Sequence, residues 1–226
     1  MPNRIFLIHG YVEDPTIFDQ LVPLLPSADF VRINLADEFG RWQPTGPINV
    51  RLLAQYLTDQ YKILADDVMV GHSMGGWVAI NIKQVSGAAA VQVASFTNQK
   101  KILFPTDNLT ILKFLLDSGV TQSRILNNYF IKQYPFAESR ELYTRLVSRA
   151  MQMPRPYLWQ QLQTLFATVP PLTVNPDLRI HARRDSIVGI PDETFVEVPG
   201  DHFSLVYHPE LVAVPIRALL SSRVRV

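Results

Sequence analysis

Cysteine is absent from the 226-residue chain. That excludes disulfides and thiolate metal sites and leaves no trace of the redox compartment. Net charge is nearly absent too, with 21 Lys/Arg against 20 Asp/Glu, so no overall field draws the protein to nucleic acid or to an anionic membrane. No apolar run approaches the roughly 18 residues of a membrane span. The opening stretch Met1–Gly10 has only a short apolar run and no small-residue cleavage site, unlike a secretory signal. Internal repeats and low-complexity tracts are missing as well. What remains is 47% hydrophobic and 18% charged, a globular composition on a chain long enough to bury a substantial core. The expectation is a cytoplasmic protein, a monomer or homodimer, acting on a small molecule without a nucleic-acid or membrane partner.

Short apolar runs recur along the chain: 4–10, 30–36, 67–73, 88–96, 178–183 and 194–200. They are continuous rather than alternating, which suits strands covered on both faces. Helical patterns at 15–25, 49–62 and 74–86 lie between the first four. Within 49–62, Val50, Leu53, Leu57 and Tyr61 mark one apolar face. Strand alternating with helix predicts a parallel sheet with right-handed crossovers. After Phe96 the rhythm changes to helical patterns at about 107–119, 122–132, 138–151 and 156–168, and the strand pattern returns after Pro170-Pro171. The predicted architecture is three-layer α/β/α, with about six mostly parallel strands. Its core is formed by 1–96 and 171–226, and an all-helical insertion occupies 97–170. Pro215, inside the last helical pattern at 209–220, predicts a bend or a late helix start.

Glycine is scarce, ten in all, yet three crowd around one serine in Gly71-His72-Ser73-Met74-Gly75-Gly76. Strand interiors avoid glycine unless another group must come close. A serine at the tip of a sharp strand-to-helix turn explains the cluster: its neighbours two positions away are squeezed, and glycine fits. Val68–Val70 before the motif and Trp77–Ile82 after it supply the strand and the helix. Ser73 is therefore the candidate nucleophile, with a helix N-terminus behind it to favour developing negative charge.

Serine needs a base, and five histidines compete. His9 sits in the turn after the first strand, His72 lies beside the nucleophile, His181 falls in a strand pattern, and His208 opens a helix. His202 follows a strand and a Pro-Gly turn, in a loop at the carboxyl end of the sheet where sites assemble. It is the candidate base.

The GHSMGG motif after a buried strand, "LIHGY" near the start and "PGDHFSLVYHPE" near the end together resemble the α/β-hydrolase superfamily. The resemblance spans the chain outside 97–170 in the right order. It implies a cofactor-independent, metal-free serine hydrolase acting on a carboxylic ester or thioester. The implied chain order is Ser, acid, His, and Asp185, just past the strand pattern at 178–183, is the candidate acid; Asp192 and Glu193 are rivals in the same loop, and Asp107 is an alternative if the acid has migrated. Only 16 residues separate Asp185 from His202, so the helix usual there is expected to be missing or a single turn. Asp201 is expected to shape the loop. The implied oxyanion donors are the backbone N–H groups of Tyr11 and Met74, with Gly10 letting the first loop bend. Residues 97–170 occupy the place of a cap. They hold nine Lys/Arg against four Asp/Glu, read either as solvated helix faces or as a basic surface for an anionic or carrier-linked substrate. The same scaffold supports lyases, acyltransferases, perhydrolases and non-catalytic binding proteins, and fold alone does not separate these.

Overall fold

The first strand shows how the core is made. Ile5, Phe6, Leu7 and Ile8 are all buried, and because strand side chains alternate in direction, Phe6 and Ile8 enter one apolar cluster while Ile5 and Leu7 enter the other. A strand buried on both faces belongs inside a sheet. The computed structural model, which describes residues 4–44 and 46–223, places it there. Strands β1 (Ile5–Ile8), β2 (Phe30–Ile33), β3 (Val68–His72), β4 (Ala89–Val93), β5 (Leu178–Ala182) and β6 (Val196–Val198) form one sheet in the order 2-1-3-4-5-6. Every pairing is parallel. The short outer strands β2 and β6 are the ones with exposed residues.

Nine α-helices lie among the described residues: α1 (Leu35–Arg41), α2 (Val50–Tyr61), α3 (Met74–Ser86), α4 (Leu109–Asp117), α5 (Arg124–Gln133), α6 (Arg140–Ala150), α7 (Arg155–Phe166), α8 (Ser204–Tyr207) and α9 (Pro209–Ser222). Local chemistry sets their ends. Asn49 caps α2 by accepting from Leu52 N–H at 3.0 Å, Asn108 caps α4 through Thr110 and Ile111 N–H, and Gly87 closes α3 at φ 77°.

Three expectations are corrected. Residues 15–25 form two 3₁₀ turns, Pro15–Phe18 and Val22–Leu24, because Pro23 has no N–H to extend a helix begun at Pro15. The strand expected over 30–36 ends at Ile33, since the Asn34 side chain accepts from Ala36 N–H and starts α1. Helix α9 runs unbroken from Pro209 past Pro215, so the late start, one of the two expected outcomes, does not occur. The hydrogen bond that Pro215 lacks would have used the carbonyl of Leu211, on the exposed side of the helix where water can serve it.

In 97–170 the helices α4 to α7 follow the expected pattern, and no strand occurs there. An antiparallel bridge joins Ile102 to Val188, tying the start of this segment to the loop after β5. Helix α7 packs on α1, α2, α3 and α4, and Trp77 Nε1–H donates to the Thr164 carbonyl at 3.2 Å.

Candidate active site

The sheet order reverses between β1 and β3, and crevices outside the carboxyl ends of strands at such a point are where ligands bind. Gly10 follows β1 and Ser73 follows β3, so both sides of that crevice carry predicted site residues. Ser73 stands between β3 and α3 with φ 52° and ψ −121°, a strained conformation for a residue with a Cβ. Close packing explains the glycines. A Cβ on Gly71 would meet the backbone of Gly75, one on Gly75 would meet the Ile8 carbonyl, and one on Gly10 would lie 2.9 Å from Ser73 Cβ. Ser73 is 8% exposed and its carbonyl accepts from Gly76 N–H (3.0 Å), Trp77 N–H (3.3 Å) and the Ser95 hydroxyl (2.7 Å). Among the described residues, the N–H groups of Tyr11, in the loop after β1, and Met74, at the start of α3, have no such partner.

Asp185 and His202 meet. His202 Nδ1–H donates to Asp185 Oδ2 at 2.8 Å, while Asp185 Oδ1 accepts from Ile187 N–H (2.8 Å) and Val188 N–H (2.9 Å). Burial alone would raise the Asp185 pKa, but the His202 charge and these hydrogen bonds hold it below the usual carboxylate range. An ionised partner on Nδ1 fixes the tautomer that leaves Nε2 able to take a proton. The acidic rivals are engaged elsewhere: Asp192 with Lys101, and Glu193 with Arg179 at 2.6 Å and with Thr97. Asp107 is not brought to the site; it lies on the exposed approach to α4. No helix lies between Asp185 and His202; the short β6 and the Pro199-Gly200 turn, with Gly200 at φ 89°, carry the chain across. Asp201 accepts from Phe203 N–H at 2.8 Å and also bonds the hydroxyls of Ser139 and Tyr134, fastening the His202 loop to the segment after α5.

Sequence reasoning did not find the group beneath the site. Glu13 and His72 are buried, and His72 Nδ1 lies 2.9 Å from Glu13 Oε1. Glu13 Oε2 also accepts from Gly10 N–H at 2.6 Å, and His72 Nε2 donates to the His202 carbonyl at 2.9 Å. Both His72 nitrogens face acceptors, so both carry hydrogen and the ring is an imidazolium paired with a carboxylate. Burial opposes both charges, yet the attraction and hydrogen bonding between them leave the His72 pKa raised and the Glu13 pKa lowered. Ligand atoms of Glu13, His72 and His202 lie within 4.8 Å of one another. With both His72 lone pairs committed to N–H bonds, the trio is a proton-bearing network rather than a metal donor set. The sequence signal was an acid three residues beyond His9-Gly10, with its partner inside the serine motif.

His9 is a neutral structural group. Burial lowers its pKa to about 4; Nδ1–H donates to the Gly10 carbonyl at 2.9 Å and Nε2 accepts from Leu35 N–H at 3.0 Å. His181 is buried 3.9 Å behind Asp185, and His208 lies 3.4 Å from Glu138. Above the first loop, the Tyr11 ring packs edge-on against Phe104 (6.4 Å), which in turn packs on Phe166 (5.5 Å). A cavity of about 450 Å³ beside Glu13 is walled by Asp14, Ile17, Arg145, Leu146 and Arg149.

Solved structures share this fold across nearly the whole chain. An enol-lactonase from Burkholderia xenovorans LB400 has a TM-score of 0.68 at 14% identity, covering 96% of this chain and 91% of that one. A thermophilic esterase from Thermogutta terrifontis gives 0.65 at 18% identity over 97% and 90%. The carboxylesterase CesB (YbfK) from Bacillus subtilis gives 0.63 at 13% identity over 97% and 84%. A comparison with curated proteins found no significant sequence match. No helix among the described residues is long and apolar enough to cross a membrane. The model of the Alpha/beta hydrolase family matches residues 5–214, and the chain belongs to that family.

Proposed function

We propose that the protein is a serine hydrolase that cleaves a carboxylic ester or thioester with a partly apolar acyl or leaving portion, using its own side chains and water. Ser73 Oγ attacks the acyl carbon as His202 Nε2 takes its proton. Asp185 holds the imidazole in the receiving tautomer and stabilises the imidazolium. The Tyr11 and Met74 N–H groups receive the oxyanion of the tetrahedral intermediate. As it collapses, His202 returns the proton to the departing alcohol or thiol, leaving an acyl-serine. Water then attacks that ester with His202 again as base, releasing the carboxylic acid and restoring the hydroxyl. The Tyr11–Phe104–Phe166 aromatic wall supports an apolar substrate portion, and the helical segment 97–170 contributes Phe104 and Phe166 to it as a cap over the crevice.

The 2.8 Å contact of His202 Nδ1 with Asp185, at the same end of the sheet as a serine in a strained turn, carries the proposal. A panel of esters of graded acyl length, run with Ser73→Ala beside the native protein, tests it together with fluorophosphonate labelling read by mass spectrometry. Turnover lost in Ser73→Ala and a label on Ser73 are expected. Turnover retained by Ser73→Ala, or failure of the probe to modify Ser73, defeats the reading.

A further inference from the structure

Two hydrogen-bond donors on α7 are buried without a partner among the described residues: the Tyr157 hydroxyl and Gln161 Nε2. They sit four residues apart, so they share one face of the helix. The orientation of the Gln161 amide is set by chemistry. Gln161 is fully buried, and its Oε1 accepts from Val12 N–H at 2.9 Å. Since Val12 N–H can only donate, the amide oxygen must face the loop after β1 and the NH₂ must turn away from it. Val12 is β-branched yet holds φ 54°, an outlier that persists only where surroundings over-determine it. The Gln161 contact is one such restraint, and it places this side chain against the loop that carries Gly10 and Tyr11.

Tyr157 lies one turn before Gln161 on the same helix. Its ring meets Phe39 edge-on at 5.9 Å between centroids. Burial raises its pKa strongly, and the charges it feels include Arg149 and Glu13. It is therefore a permanent O–H donor beside the site. The other unpartnered atoms are Asn81 Oδ1, Thr121 Oγ1, Arg179 Nε and the two ring nitrogens of His181. Among the described residues, only here do two unpartnered donors share a helix face that also contacts the loop carrying Gly10 and Tyr11. Buried donors are ordinarily satisfied, and the complement of two donors on one face is an oxygen with two lone pairs.

We infer that Tyr157 and Gln161 form a paired donor site for a carbonyl-type oxygen, either ketone or carboxylate, carried by the substrate in addition to its scissile ester. This deepens the proposed function by naming a substrate class, and it rests on that reading only for the chemistry, not for binding. Substrates of this kind would come from reactions that install an oxo or second carboxyl group on an acyl chain.

Binding without turnover tests the inference. The Ser73→Ala protein is titrated calorimetrically with three ethyl esters of matched chain length: one plain, one with a ketone in the acyl chain and one ending in a carboxylate. The expected result is at least about tenfold tighter binding of an oxygenated ester than of the plain one, the gain of one good polar contact. The two oxygenated esters show which oxygen is preferred. Adding Tyr157→Phe should collapse that preference to within about twofold. The melting temperature should not fall, because the lost hydroxyl has no protein partner among the described residues. Gln161→Glu keeps an acceptor for Val12 N–H while replacing the donor, and should reduce the preference too. Equal binding of all three esters, no binding of any, or a preference that survives Tyr157→Phe overturns the inference and leaves two donors that hold structural water only. Failure of Ser73 labelling would instead defeat the hydrolase reading and leave the binding result standing.

Discussion

His72 Nε2–H donates to the main-chain carbonyl of His202 at 2.9 Å, so the residue preceding the strained serine grips the backbone of the histidine that faces Asp185. On its other side His72 is paired with Glu13, which also holds Gly10 N–H at 2.6 Å. One buried ion pair thus spans three chain segments: the loop after β1, the turn after β3 and the loop after β6. Displacement of any of them would move a group assigned to the proposed chemistry.

Glu13→Gln is the first prediction. It leaves the His72 imidazolium buried without its counter-charge, and breaking such a pair costs about 3–5 kcal/mol. The pH dependence follows from the shifts. His72 has its pKa raised above 6.5, so its contribution is complete below 6.5 and fades as pH climbs through the folded value. Glu13 has its pKa lowered below 4.5, so its contribution is complete above 4.5 and fades as pH falls through the folded value. Chemical denaturation should therefore show the greatest deficit of Glu13→Gln between those two pH values and a smaller one in alkali. An equal deficit at pH 5.5 and in strong alkali would rule out the ion pair.

Asp185→Asn separates orientation from packing. The amide fills the same space and can still accept from Ile187 and Val188 N–H, but it offers His202 Nδ1 no negative charge and favours the wrong tautomer. A fall in kcat of about 10³–10⁴-fold is expected, with KM little changed because Asp185 lies behind the imidazole. Steady-state kinetics on the best ester of the panel would measure it. A loss under about tenfold would reassign the acid.

The basic excess of segment 97–170 is smaller in effect than in count. Arg149 pairs with Asp14 and Lys101 with Asp192, both acids outside the segment. Arg155 and Arg140 donate to the carbonyls of Asp117 (2.8 Å) and Tyr134 (2.9 Å). Long-range steering needs unpaired field, and steered reactions gain about 10–10³-fold in association. Between about 0.01 and 1 M salt, where the Debye length falls from about 30 to 3 Å, kcat/KM for a neutral and for an anionic ester should each change less than about threefold. A drop of tenfold or more confined to the anionic ester would restore the basic cap as an attractor.

The legible part of this molecule was written in short-range pattern. Continuous apolar runs such as Val68–Val70 announce a doubly covered strand, and glycines two residues either side of Ser73 announce the turn, because both follow from local crowding. Chain order fits Asp185, Asp192 and Glu193 alike, and only its place just past a strand favoured Asp185; the structure brings its carboxylate to the His202 ring while sending the others to Lys101 and Arg179. Hidden from sequence were the groups joined across distance. Glu13 and His72 are 59 positions apart, and Gln161 reaches Val12 across 149, so neither pairing leaves a periodic or compositional trace. The 3₁₀ turns at 15–24 were misread because apolar spacing alone does not register a proline where a helix needs an N–H.

Two glycines provide the last and sharpest contrast. Gly75 and Gly40 both lie in helices, where glycine costs about 0.5–1 kcal/mol relative to alanine. At Gly40, in α1, a Cβ would meet nothing within 4 Å, so Gly40→Ala should stabilise the protein by about that amount. At Gly75 the same methyl would strike the Ile8 carbonyl. That carbonyl belongs to a central strand paired on both sides and has nowhere to retreat, so Gly75→Ala should destabilise by about 3 kcal/mol or more. The shift should also propagate to Gly10 and Ser73, so the surviving folded protein should label with fluorophosphonate more slowly. Denaturant melts of the two variants in parallel would show opposite signs. A Gly75→Ala protein as stable as the native one would mean that the turn holding Ser73 is looser than its packing indicates, and the account of why the serine motif needs its glycines would have to be abandoned.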